Sequence, residues 1–434
     1  MRASGTGSGS GGGPENGTTS RRRMLALSTG AALAVSGLAG CGAHGHGHGH
    51  GKRGHGRAPG AGGSASTSPS PSGAGRVSAP PASGVLAANV NESLDKIDHA
   101  ELAAVSATWI RGFYLMSKAD RSDPAARTGT AKLLQAASNG YGTVLSTKFQ
   151  YHGTRLPEPG TAAMDTALAR LDKVLAAVLG KIDILTIGNE PFYETRPADR
   201  ATSRINDFYE ALAQHAAKYR SAHFGAHCKT ALYMGALNRL EDPAFRNAQT
   251  RRWMTFAAGN TDIAGVDIHP HVTSIGAARE YTDFVLPYLR ADQKFLATEF
   301  SLVKLWKQHM HDPVDASFTR AYGTPAGTRV WQVIHEAANN PFTEGKWNDF
   351  LLSNRWFASH KTFLTNEMAR LRDTGKLAVA AYGITQGGPI RDFGASSSPW
   401  VLNSVFCPYV CRTATDGLPG RDRTWATAFK AAQG

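Results

Sequence analysis

From Gly84 onward, short runs of apolar and β-branched residues alternate with segments of helical period, and the alternation repeats eight times. The strand-like runs are Val85 to Asn91, Thr108 to Tyr114, Thr143 to Tyr151, Asp183 to Gly188, Thr230 to Ala236, Ile263 to Ile268, Phe295 to Phe300 and Ala378 to Thr385. Between the third and fourth, Met164, Leu168, Leu171, Leu175, Val178 and Leu179 recur at spacings of three, four and one, which lays one apolar stripe along a helix. Eight strand-helix units over roughly 350 residues predict an α/β fold, a (β/α)8 TIM barrel. A doubly wound open sheet is the alternative, but no Gly-rich phosphate loop follows the first strand. The last connection, 301 to 376, is far longer than one helix requires. It predicts a helical insertion between strands 7 and 8.

The first 83 residues have a different composition. Arg21, Arg22 and Arg23 precede Met24 to Gly40, an uncharged stretch of small and apolar residues that ends at Cys41. A positive region followed by a hydrophobic one is the layout of an export signal. At 17 residues the stretch is short of the roughly 20 that a membrane span needs. Ser20-Arg21-Arg22-Arg23-Met24-Leu25 resembles a twin-arginine signal, and Leu38-Ala39-Gly40-Cys41 resembles a lipobox, which implies lipidation of Cys41. Residues 42 to 83 are dominated by Gly, Ser, Ala and Pro and predict a disordered tether, with a root-mean-square span of roughly 35 Å. His44, His46, His48, His50 and His55 alternate with Gly inside it, and nothing there fixes a coordination geometry. The expected organisation is an export signal over 1–41, the tether over 42–83 and one catalytic domain over 84–434.

Charge and cysteine content narrow the partners. The formal net charge is +13, yet eight Lys/Arg and a single acid fall before residue 84, which leaves the body near +6. Spread over a whole domain, that excess gives no basic stripe of the kind that tracks phosphates, so no nucleic-acid partner is expected. A membrane contact is expected only through the lipid. With Cys41 assigned to the anchor, Cys228, Cys407 and Cys411 remain. In an oxidising compartment Cys407 and Cys411 could pair across a tight loop, or all three could stay reduced.

In a barrel of this kind chemistry gathers at the carboxyl ends of the strands. Two glutamates stand there. The apolar run Ile182 to Ile187 leads directly into Gly188-Asn189-Glu190-Pro191, and Phe295 to Thr298 leads into Glu299-Phe300. A carboxylate closing a buried strand is unfavourable unless hydrogen-bonded or functional. Asn189-Glu190-Pro191 after strand four, with Thr298-Glu299-Phe300 after strand seven, resembles clan A of the glycoside hydrolases, retaining enzymes on (β/α)8 barrels. Retention requires one carboxyl to protonate the leaving oxygen and one carboxylate to attack the anomeric carbon, about 5 to 5.5 Å apart.

The resemblance implies Glu190 as general acid/base and Glu299 as nucleophile. Asn189 would then contact the sugar 2-hydroxyl, and Arg111 would sit against the nucleophile and keep it ionised. His269 and His271 follow strand six, where the clan often carries a His and a Tyr. Many clan members place a tryptophan on strand eight; this chain reads Ala381-Tyr382-Gly383-Ile384-Thr385-Gln386 there, which leaves Tyr382 or Gln386 to line the site. In the insertion Trp306 is a candidate sugar-stacking ring.

Two rival functions remain. His269-Pro270-His271 is an HxH at a strand end, as in some metal-dependent barrel hydrolases, although that pair usually lies on the first strand. A non-catalytic carbohydrate-binding lipoprotein would keep the cleft without turnover. The reading carried forward is an exported, lipid-anchored retaining glycosidase acting on β-linked oligo- or polysaccharides. It needs no cofactor and no metal, since two carboxylates and water suffice.

Overall fold

A computed structural model describes residues 79–388 and 390–433. The expected export signal, Cys41 and nearly all of the tether lie outside the described residues.

The eight strands are β1 (Val85–Asn91), β2 (Trp109–Leu115), β3 (Gly142–Lys148), β4 (Ile184–Ile187), β5 (Ala231–Asn238), β6 (Ile263–His269), β7 (Lys294–Ala297) and β8 (Leu377–Gly383). They pair in sequence order into a closed barrel, and β8 returns to β1 in parallel register, Val85 opposite Val379 and Asn89 opposite Gly383. The expected (β/α)8 TIM barrel is therefore the fold, and the open sheet is excluded. β4 and β7 are shorter than the sequence pattern indicated, four residues each. Asn189, Glu190 and Glu299 consequently stand past the end of the ladder.

Side chains alternate across a strand with a period of two, and this sorts the barrel interior by depth. Val85, Ala87, Trp109, Val144, Ile184, Tyr233, Leu296, Val379 and Ala381 fill the lower interior as one apolar cluster. Gly142 makes room for it: an added Cβ would lie 2.1 Å from the Trp109 ring. One step of the pleat higher, the same faces present Asn89, Arg111 and Ser146, all buried. The polar layer therefore begins where the strands approach the mouth.

A second, larger core lies between the strands and the helices outside them. The helix Ala162–Val178 shows how the sequence builds this layer. Thr161 caps its first turn by accepting from the Met164 amide, and Met164, Leu171, Val174, Leu175 and Val178 turn inward. Between β7 and β8 the chain runs through six helices, Val303–Gln308, Ala316–Tyr322, Val330–Asn339, Glu344–Ser353, Arg355–Ala358 and Phe363–Asp373. A long irregular segment, 384–422, follows β8 and folds back over the mouth, its Phe406 bridging Thr385 and Arg421. Cys407 and Cys411 in this segment are buried and, like Cys228, unbonded. Among the described residues no helix is long and apolar enough to cross a membrane.

Candidate active site

The mouth holds a cleft of about 700 Å³ whose lining includes Asn189, Glu190, Glu299, Phe113, Lys148, Gln386 and Trp400. Glu190 arrives there through a turn at Gly188, whose φ of 94° suits glycine; an added Cβ would also meet the Pro191 ring at 2.6 Å. Pro191 then opens the short helix Pro191–Glu194. The Glu190 and Glu299 side chains are 17% and 13% exposed, so both can be reached from the cleft.

His269 joins the two carboxylates. Its Nδ1 lies 3.2 Å from Glu190 Oε1 and 3.9 Å from Glu299 Oε1. Two distances from one nitrogen bound the gap between those oxygens at about 7 Å, which admits the ~5–5.5 Å of a retaining pair. The other ring nitrogen, Nε2, is 2.9 Å from Thr298 Oγ1 and 3.5 Å from Asp267 Oδ2, and Thr298 Oγ1 donates to Asp267 Oδ2. Burial alone would discharge this ring. The charges of Glu299 and Asp267, with the hydrogen bonds that the ring donates to Asp267 and Glu190, outweigh burial and push its pKa up to about 10. His269 is therefore an imidazolium that donates from both nitrogens.

Glu299 is the more firmly ionised carboxylate. Arg111 Nη1 donates to its Oε1 at 2.6 Å, and His271 Nε2 lies 3.5 Å from its Oε2. Burial opposes the charge, but the His269 and Arg111 cations and the His271 hydrogen bond hold the carboxyl well below its ordinary value. Arg111 is itself locked in place. Its Nη1 also donates to Asn89 Oδ1 at 3.2 Å, and its Nη2 donates to Ser146 Oγ at 3.2 Å and to Asn189 Oδ1. For Glu190, burial raises the carboxyl, but the hydrogen bond and charge of His269 bring it below its ordinary value. Asn238 Nδ2 donates to the same Oε1.

Behind Asn189 lies Glu194, fully buried. It accepts from Asn189 Nδ2 at 2.9 Å and pairs with Lys148 Nζ at 3.4 Å, while its Oε2 has no partner. Burial pushes this carboxyl up to about 7 against the pull of Lys148. Asn189 is thus held at both ends, its oxygen toward Arg111 and one amide hydrogen toward Glu194. The second amide hydrogen remains for the cleft.

No family model matches the sequence, and no curated protein matches it. Among solved structures, the chain is similar to GH10 from Paenibacillus barcinonensis at 12% identity and a TM-score of 0.49, over 81% of this chain and 96% of that one. It is also similar to Saccharomyces cerevisiae Gas2p in complex with laminaritriose and laminaritetraose, at 12% identity and a TM-score of 0.41, over 80% of this chain and 64% of that one. The chain thus spans under two thirds of Gas2p.

The structure brings Glu190, Glu299, Asn189, Arg111, His269 and His271 together, and it places Gln386 on the cleft wall. Tyr382 is a correction. Inward positions on β8 are Val379 and Ala381, so Tyr382 turns outward, fully buried against Phe300 and Trp425. Trp306 is a second correction. It is fully buried in the insertion's own core, beside Trp356 and Phe357, and its Nε1 donates to Asn403 Oδ1 at 3.0 Å. An aromatic ring that does stand at the site is Trp400, from the segment after β8, 5.0 Å from the His271 ring and at 85° to it. Sequence reading also missed Glu194, Asn238, Asn89 and Ser146.

Glu190, His269 and His271 offer three potential metal-ligand atoms within 4.8 Å of one another. A cation there would have to displace the proton that His269 Nδ1 shares with Glu190 Oε1.

Proposed function

We propose that this chain is a retaining glycoside hydrolase acting on β-linked glycans, with Glu299 as nucleophile and Glu190 as general acid/base. The observation that carries the reading is the contact of His269 Nδ1 with both carboxylates, one of which is also gripped by a buried arginine.

The chemistry follows from the proton inventory. Glu299, held ionised, attacks the anomeric carbon while the bond to the leaving oxygen breaks. The proton on His269 Nδ1, 3.2 Å from Glu190 Oε1, passes through Glu190 to that oxygen. The products are the released alcohol, a glycosyl ester on Glu299 and a neutral His269. Water then attacks the ester from the same side. Glu190 receives the water's proton and returns it to His269, the sugar leaves with its original anomeric configuration, and Glu299 is a carboxylate again. The free Nδ2 hydrogen of Asn189 meets the sugar 2-hydroxyl, a contact that strengthens as oxocarbenium character develops. Trp400 supplies the ring surface beside the reacting sugar, and Gln386 borders it. Arg21 to Cys41 support export and lipid anchoring, which would place this domain outside the cytoplasm.

A panel of chromogenic β-glycosides and β-glucans or xylans tests the reading. Hydrolysis by the native chain is expected, with the β-anomer as first product in NMR and a loss of at least ~10³-fold in Glu299→Gln. Binding without hydrolysis by any substrate would favour the carbohydrate-binding alternative. The clustering of Glu190, His269 and His271 favours the metal-dependent reading; loss of activity on dialysis against a chelator, restored by zinc, would establish it instead.

A further inference from the structure

The cleft has lining residues besides those around the two glutamates. Its lining also includes Lys96, Ile97, Asp98, Glu101, Leu102, Pro408, Tyr409 and Pro419. These residues come from the segment after β1, from the short helix His99–Ala104 and from the segment after β8. Among the described residues, no hydrogen bond or ion pair joins Lys96, Glu101 or Tyr409 to Glu190 or Glu299. At about 700 Å³ the cleft falls in the range of pockets that enclose drug-sized ligands, ~300–1,000 Å³, which is more room than one sugar ring needs.

The chemistry of this stretch is that of a sugar subsite. Tyr409 is half-buried and lines the cleft, as do Pro408 and Pro419. Lys96 Nζ donates to its hydroxyl at 3.3 Å and lies 6.0 Å from its ring centroid, so the tyrosine is held by a partner from the segment after β1. Such a ring offers an apolar face and a polar tip, which matches a pyranose with its C–H face and its hydroxyls. Burial and the neighbouring Asp98 push the Glu101 carboxyl up to about 7, so near neutrality it can both donate to and accept from hydroxyls. The backbone supports the position: the Cys411 amide donates to Cys407 O at 2.8 Å, closing a tight turn with Tyr409 at its tip.

We propose that Tyr409, Lys96 and Glu101 form a glycan-binding subsite, which recognises a sugar unit other than the one at the bond that is cut. The inference rests on the glycosidase reading of the same cleft. It makes the ligand an oligo- or polysaccharide rather than a small glycoside, with binding energy drawn from units that do not react.

The test is the dependence of affinity on chain length. Calorimetry on the full chain carrying Glu299→Gln would use β-1,3- and β-1,4-gluco-oligosaccharides and β-1,4-xylo-oligosaccharides of two to six units. In at least one series affinity is expected to rise about tenfold or more with length, the scale of one aromatic contact with its buried area. Adding Tyr409→Ala should flatten that rise to about twofold, and Tyr409→Phe should retain most of it. A rise that survives Tyr409→Ala, or no dependence on length in any series, overturns the subsite. The wild-type chain distinguishes the two proposals. A length-dependent affinity lost in Tyr409→Ala, without any hydrolysis by the wild type, supports the subsite and removes the catalytic reading.

Discussion

Arg111 reaches Glu299 from inside the barrel: the guanidinium on β2 is fully buried, and its Nη1 lies 2.6 Å from the Glu299 carboxylate beyond the end of β7. The same group donates to Asn89, Ser146 and Asn189, so one cation organises residues on β1 and β3 and just beyond β4 and β7. A lysine has the charge but not the fork. Arg111→Lys is expected to lower kcat/KM by about 10²-fold, the scale of losing one preorganised donor. The acid limb of the pH profile should move up, because Glu299 loses part of what holds its carboxyl low. An unshifted acid limb in a folded Arg111→Lys protein would show that Arg111 does not set the charge of Glu299.

His269 sets the alkaline side. Its folded pKa of about 10 exceeds the ordinary 6.5, so the proton shared with Glu190 is retained across neutrality and lost only as pH rises through that value. The alkaline limb of kcat/KM should accordingly lie far above the usual histidine range. In His269→Gln the loss should be large, about 10²–10⁴-fold, for glycosides with poor leaving groups. For a dinitrophenyl glycoside, whose departure needs no proton, it should be small. Equal losses on both substrates would remove the proton-donor role.

Glu194 gives a prediction about stability. Its folded pKa of about 7 lies above the unfolded value near 4.5. Between those values the folded chain keeps a proton that the unfolded chain has released, so this group lowers stability as pH rises through that window. Glu194→Gln removes the effect. Relative to wild type, the variant should gain stability from pH 4.5 to pH 8 by up to about 3 kcal/mol in order of magnitude, read from denaturant midpoints at both pH values. Parallel behaviour of the two proteins across that range would mean that Glu194 is ionised in the fold.

Trp400 should contribute to binding more than to chemistry. Trp400→Ala is expected to raise KM about tenfold, with a smaller change in kcat, in keeping with the loss of one aromatic contact and its buried area. Unchanged steady-state kinetics on the best glycoside would remove this ring from the site.

The barrel and its two glutamates were legible because both depend on short-range pattern. Buried parallel strands read as apolar runs, and Asn189-Glu190 and Glu299 break those runs where the ladder ends. The same property hid Tyr382. Every residue of β8 is buried, so nothing in Leu377 to Gly383 marks which side chains point inward, and one step of the pleat decides between cleft and outer core. Trp306 was misplaced because an insertion long enough to form a core of its own buries its tryptophans there. Trp400 and Tyr409 come to the mouth from an irregular segment without periodicity. Glu194 reads as an ordinary charged residue in a short helix; only the fold shows that its carboxylate has no solvent.

Glu190 and Glu299 are expected to act on one anomeric carbon, Glu299 from the side opposite the leaving oxygen. Incubation with a 2-deoxy-2-fluoro-β-glycoside bearing a dinitrophenyl leaving group, followed by mass spectrometry of the digested chain, tests it most directly. The expected result is a stoichiometric fluoroglycosyl adduct on Glu299, formed with loss of activity. An adduct on another residue, or hydrolysis of the parent glycoside with inversion of the anomeric centre, would contradict it.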